Sequence, residues 1–248
     1  MKRLILLLIG LTFTTPSMGT GFADLAEYYI GLDSGLVVTF GPYIGLPNPN
    51  QNRLTFLFNH GDHFHSIGRF DYIGPVENPT VVPTNTNNRI PEAFTGLPPL
   101  PLTPGFGPLY TGKLVSMAGD AEYSDLEVRS TRSLRKAPDG SEADILFNSG
   151  DGRWTRSFHR AVVALQLVSR TEGFHIGTAE KAEVLEHPGD IVIIKNDKSD
   201  VIRFTPVFWT DGDAPSGTYS AEFRLLDVNI KPQRFDSSGT FNFDFAVP

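Results

Sequence analysis

Arg53-Leu54-Thr55-Phe56-Leu57-Phe58-Asn59-His60-Gly61-Asp62-His63-Phe64-His65-Ser66-Ile67 reads as two strands joined by a tight turn. Aromatic and branched residues fill both flanks, the composition a pleated, half-buried surface selects. Between them Gly61-Asp62 is a two-residue hairpin signal, because glycine at the first central position takes the positive φ of a type II′ turn. That turn makes His60 and His63 a directly opposed pair on one face of the ribbon. Side chains alternate along a strand, so His65 returns to the face of His63 while Phe64 points the other way.

Half of the six histidines of the 248-residue chain thus converge at one hairpin tip. A neutral imidazole offers one lone pair, and Zn²⁺ collects about four such donors at 2.0–2.1 Å. Opposed Cβ atoms roughly 4.5–5.5 Å apart suit that geometry. One point counts against a metal site: Phe56 and Phe58 share the His60 face, which would make the histidines the polar end of a core.

Outward from the hairpin, the chain is punctuated rather than helical. Gly35 to Gly41 reads as a strand, and Leu32-Asp33-Ser34-Gly35 before it as a turn. From Gly74 to Pro108 nine prolines remove amide donors and fix φ, which predicts a long loop packed as a cover. Further strands are predicted over 114–117, 143–147, 154–158, 161–169, 191–195 and 205–209, with turns at Pro138-Asp139-Gly140, Ser149-Gly150-Asp151-Gly152 and Pro188-Gly189-Asp190. Segments 217–225 and 241–245 alternate polar and apolar residues, as half-buried antiparallel strands do. The expected fold is therefore all-β: a single antiparallel β-sandwich or jelly-roll-like domain over residues 24–248, carrying the Pro-rich loop 74–108.

Composition narrows the function. The chain is 40% hydrophobic with 19 Phe and no Cys, so a large core must hold it without disulfides, and thiolate metal sites are excluded. Met1-Lys2-Arg3 followed by an apolar run from Leu4 to Phe13 reads as a secretory signal peptide over 1–23, with Gly21 and Ala23 as the small residues at the cleavage site. Its removal takes away Lys2 and Arg3 and moves the formal charge from −7 to −9. An acidic exported chain of this kind suits a metal cation, not nucleic acid, and no membrane insertion is expected after the signal is removed. Histidine, carboxylate and carbonyl ligands suit Zn²⁺ and leave other divalent transition metals open.

Three further histidines could complete a zinc site. His175, in Gly173-Phe174-His175-Ile176-Gly177, is the expected fourth ligand, since a histidine between apolar neighbours in a strand needs a partner. No Gly-x-Ser-x-Gly elbow, His-Glu-x-x-His, Walker loop or dinucleotide fingerprint is present, and no catalytic residue or general base is expected.

The histidine stretch Phe58 to Gly68, with Asn87-Asn88-Arg89-Ile90-Pro91-Glu92, Gly107-Pro108-Leu109-Tyr110, Glu122-Tyr123-Ser124-Asp125-Leu126, Leu146-Phe147-Asn148-Ser149 and 163–169, resembles a known family. It is the cyanobacterial set of exported proteins repressed by the zinc-uptake regulator and bearing a PEP-type C-terminal sorting signal. The resemblance implies expression under zinc starvation, a role in zinc capture or storage at the cell envelope, and zinc among the metals left open. It departs at Ala246-Val247-Pro248, where the sorting signal would begin, so a periplasmic, cell-surface or freely secreted product is expected. The alternatives are a metal-dependent hydrolase using the same histidines and a structural cell-surface protein.

Overall fold

The computed structural model describes residues 25–119, 121–196, 199–229 and 235–248; the expected signal peptide lies outside them. Among the described residues strands dominate, with two α-helices, α1 (Gly107–Tyr110) and α2 (Glu142–Gly152), and two short 3-10 turns, so the fold class is all-β. One sheet has the spatial order β14 (Arg203–Phe204), β10 (Val128–Ser130), β1 (Tyr28–Leu32), β2 (Leu54–Asn59), β3 (Phe64–Ile67). A second runs β13 (Ile191–Lys195), β11 (Val163–Arg170), β16 (Gly217–Asp227), β17 (Phe241–Val247), β6 (Arg89–Ile90), with β7 (Leu100–Pro101) also on β17. The third is β12 (His175–Gly177), β15 (Val207–Asp211), β9 (Lys113–Val115), β8 (Thr103–Pro104), and β4 (Asp71–Ile73) pairs with β5 (Thr80–Val82) in a small ribbon.

Pairing is mixed, not purely antiparallel. Strand β1 runs parallel to β10, and β17 runs parallel to β6 and β7. Alternation reports which face is buried but not the direction of the neighbouring strand, and the long connections here permit parallel neighbours. The Pro-rich segment is likewise more than a loop. Through β6 and β7 it is stitched to the edge of the second sheet, burying Ile90, Leu100 and Leu102. Prolines are tolerated there because an edge strand leaves one row of donors unused.

Three strand expectations fail. Residues 35–41 form an exposed excursion held by a bridge between Val37 and Pro47, with Leu36 and Phe40 facing solvent. Segment 154–158 is irregular, although Trp154 and Phe158 are buried. The third, 143–147, lies in α2, where the Ser141 hydroxyl accepts from Asp144 N at 3.2 Å and Glu142 and Asp144 occupy the first turn. That cap satisfies a donor the helix leaves free and places acids where its dipole favours them.

The main core lies between the first two sheets. Phe56 of β2 stacks on Phe241 of β17 with ring centroids 4.4 Å apart and an interplanar angle of 6°. Tyr28 of β1 meets Phe243 edge-on at 5.6 Å, and Phe208 of β15 joins Phe245 at 4.8 Å. The other face of the first sheet is also covered: Tyr29, Leu57 and Phe64 pack with Leu146, Phe147 and Trp154. The β2–β3 hairpin is therefore clamped on both faces. Where β3 ends, Gly68 takes φ +62°, and a Cβ there would stand 2.3 Å from the Thr240 carbonyl oxygen, so only glycine fits the approach to β17.

Candidate metal centre

The hairpin register pairs Asn59 with Phe64 and Phe58 with His65, which sets His60 opposite His63. His60 N donates to His63 O at 2.9 Å, and Gly61 holds φ +87° at the tip. Asn59 Oδ1 accepts from Gly61 N at 2.9 Å, so the turn is closed by its own side chain as well as its backbone. Phe64 turns away and packs edge-on against Tyr29 at 5.3 Å, anchoring the strand that carries His63 and His65.

The three rings meet. His60 stacks on His65 at 4.6 Å and 17°, while His63 Nε2 stands 3.0 Å from His65 Nε2. One donor atom from each of His60, His63 and His65 lies within 4.8 Å of the others. Two nitrogens bound at 2.0–2.1 Å in a tetrahedron are about 3.3 Å apart, so the His63–His65 pair is already near bonding separation. His60 and His63 are solvent-exposed, and ordinary rotamer changes close the remaining gap.

Carboxylates hold the far side of two rings. Asp62 Oδ1 lies 2.5 Å from His63 Nδ1, and Glu92 Oε1 and Oε2 lie 3.0 and 3.1 Å from His65 Nδ1. A carboxylate only accepts, so each Nδ1 carries the proton and each Nε2 presents a lone pair. Two lone pairs facing each other at 3.0 Å repel unless a cation, a proton or a metal ion, lies between them. A carboxylate accepting from the far ring nitrogen is the usual outer-shell partner of a zinc-bound histidine.

Glu92 is itself secured. Its side chain is 0% exposed, Asn87 Nδ2 donates to Oε1, and Tyr123 OH donates to Oε2 at 3.0 Å. Burial and the Glu92 charge push the Tyr123 phenol far above its ordinary range, so it remains a donor. Tyr28 OH in turn donates to Tyr123 O at 3.0 Å. At the exposed tip, the hydrogen bond from His63 holds Asp62 below the usual carboxylate range.

Phe56 and Phe58 do continue into the histidine face, Phe58 stacking on Tyr123 at 4.3 Å. The cluster is thus both the polar end of the core face and a convergent donor set. His175 is not brought to it. It lies on β12 in the third sheet, its Nδ1 2.8 Å from Glu183 Oε1 and its ring stacked on Trp209 at 4.0 Å, so the expected fourth ligand is a partnered sheet histidine. Burial pushes the Glu183 carboxyl up, but hydrogen bonds from His175 and Arg170 outweigh it and hold it below its ordinary range.

No family model, curated protein or solved structure matches the chain. What the site can do therefore rests on its own chemistry. Three imidazoles fill three positions of a tetrahedron and leave the fourth for water or an outside ligand. A cleft of about 580 Å³ opens beside them, bounded in part by His63, His65, Arg69 and Asn87. Sequence reasoning did not select Glu92, Asn87 or Tyr123 as site residues. Each is remote in sequence from the hairpin, and local spacing carries no signal of such a partnership.

Proposed function

We propose that this chain is an exported zinc-binding protein of the cell envelope, capturing or storing the metal through His60, His63 and His65. One observation carries the reading: two Nε2 atoms face each other at 3.0 Å while carboxylates hold the opposite nitrogens. The donor set fits zinc, with the rings as ligands and Asp62 and Glu92 fixing their tautomers. Resemblance to zinc-starvation-responsive exported proteins supports the choice of metal, and Asn87, Glu92 and Tyr123 fall in segments that carry it. The basic-then-apolar start of the sequence supports export, and the two packed sheets are read as the layers of a β-sandwich. Among the described residues, no helix is long and apolar enough to cross a membrane.

Equilibrium dialysis against zinc tests the reading. Loss of binding is expected in His63→Ala and His65→Ala, with full retention in His175→Ala. Equal binding by all three variants would remove the hairpin from the account.

A metal-dependent hydrolase is the second reading, favoured by the cleft beside an open coordination position. Zinc-dependent hydrolysis of p-nitrophenyl acetate that disappears in His65→Ala would favour it over storage.

A further inference from the structure

The cleft beside the histidines contains polar groups that the protein itself leaves unanswered. Arg69 lies on its wall, partly buried, and its guanidinium makes no hydrogen bond or ion pair with any described residue. Desolvation lowers its pKa, outweighing the nearby charges of Asp71 and Asp33, which raise it. The neighbouring Arg153 is different, because its Nε and Nη2 bond the buried Asp33 carboxylate at 2.7 and 2.5 Å. Asp71 is the acid on the cleft wall, and its Oδ1 accepts from Tyr72 N at 2.9 Å without pairing with Arg69.

Acceptors are left over as well. Asn87 donates its amide nitrogen to Glu92, which fixes the orientation of the group, and its Oδ1 is buried with no partner. Asn85 Oδ1, on the same wall, is also buried and unpartnered. A buried acceptor with no donor costs about 1–3 kcal/mol, so groups left this way are suited to a ligand that brings donors.

We propose that this cleft binds a small carboxylate carrying hydroxyl or amine donors, its charged end on Arg69 and its donors on Asn87 and Asn85. Arginine presents a planar fork that matches a carboxylate with two parallel hydrogen bonds. An α-hydroxy or α-amino acid combines that group with the donors the asparagines lack. The same class of molecule supplies oxygen or nitrogen donors to zinc. Where the ligand reaches the open position beside His63 and His65 the proposal rests on the metal reading, while Arg69 and the asparagines act independently of it.

L-Malate and succinate differ by one hydroxyl and serve as probes. Calorimetry on the metal-free chain should show malate binding, weakened at least tenfold in Arg69→Gln and several-fold in Arg69→Lys, which keeps the charge but loses the fork. Malate should exceed succinate in wild type, and Asn85→Ala should narrow that preference. Zinc loading should tighten malate binding further. Equal malate affinity in wild type and both Arg69 variants, or no malate binding by wild type in either metal state, would overturn the proposal. A parallel zinc titration separates the two readings: Arg69-dependent malate binding without zinc binding would sink the metal site and leave the cleft standing, and the converse would sink the cleft alone.

Discussion

His65 Nδ1 lies 3.0 and 3.1 Å from the two carboxylate oxygens of Glu92, a side chain 27 residues away and wholly buried. This pairing joins the histidine hairpin to the Pro-rich segment and fixes which nitrogen of His65 faces the other rings. Glu92→Gln keeps the size and much of the hydrogen bonding but removes the charge. Zinc affinity is expected to fall roughly 10–100-fold, the usual effect of losing an outer-shell partner. Calorimetric titration of the folded variant checks it; unchanged affinity would show that the carboxylate does not tune the site.

Metal binding should stabilise the fold, because the three rings converge only when the hairpin is formed. At free zinc about 100 times the dissociation constant, the gain is about 2.7 kcal/mol. Urea denaturation with and without zinc measures it, and the gain should vanish in His63→Ala.

Much of the fold was legible because hydrophobic alternation reports burial directly. Strands β2, β3, β16 and β17 lie where the pattern put them, and the facing of His60, His63 and His65 followed from Gly61-Asp62 and a period of two. Helix α2 was misread as a strand because Ile145-Leu146-Phe147 is too short an apolar run to distinguish the two periods. Ser141 followed by Asp144 was the available correction, a capping signature three residues apart. Glu92 was out of reach, since only the chain's return along β17 sets it beside His65. The sequence likewise does not show that His175 lies in the third sheet, where Glu183 and Trp209 are its partners.

Removal of that cap gives a stability test. Ser141→Ala should cost about 1 kcal/mol, with zinc affinity unchanged. Thermal or urea unfolding checks the first part and calorimetry the second; a null effect on stability would mean that packing of Leu146 and Phe147 alone holds α2.

The contact between Phe56 and Phe241 joins the first two sheets. Phe241→Ala is expected to destabilise the chain by about 3–5 kcal/mol, the range for truncating a buried phenylalanine. A loss below about 1 kcal/mol in chemical denaturation would contradict the assignment of the main core to this interface.

Burial pushes the half-buried Glu27 carboxyl up from 4.5 to about 7, against hydrogen bonding from Asp125 N. The folded state thus holds a proton that the unfolded chain releases earlier. Its contribution to stability is full below about pH 4.5 and is lost as pH rises through about 7. Glu27→Gln, which can still accept from Asp125 N, should flatten this part of the stability–pH profile. A wild-type profile matching that of the variant between pH 4.5 and 7 would contradict the shift.

The most direct measurement is a zinc titration at neutral pH of wild type beside the triple variant His60→Ala/His63→Ala/His65→Ala, both shown by circular dichroism to be folded. The account predicts binding of about one zinc per chain in wild type and none in the triple variant. Equal binding by the two proteins, or no binding by wild type, would contradict it and leave the histidines as the polar end of a core.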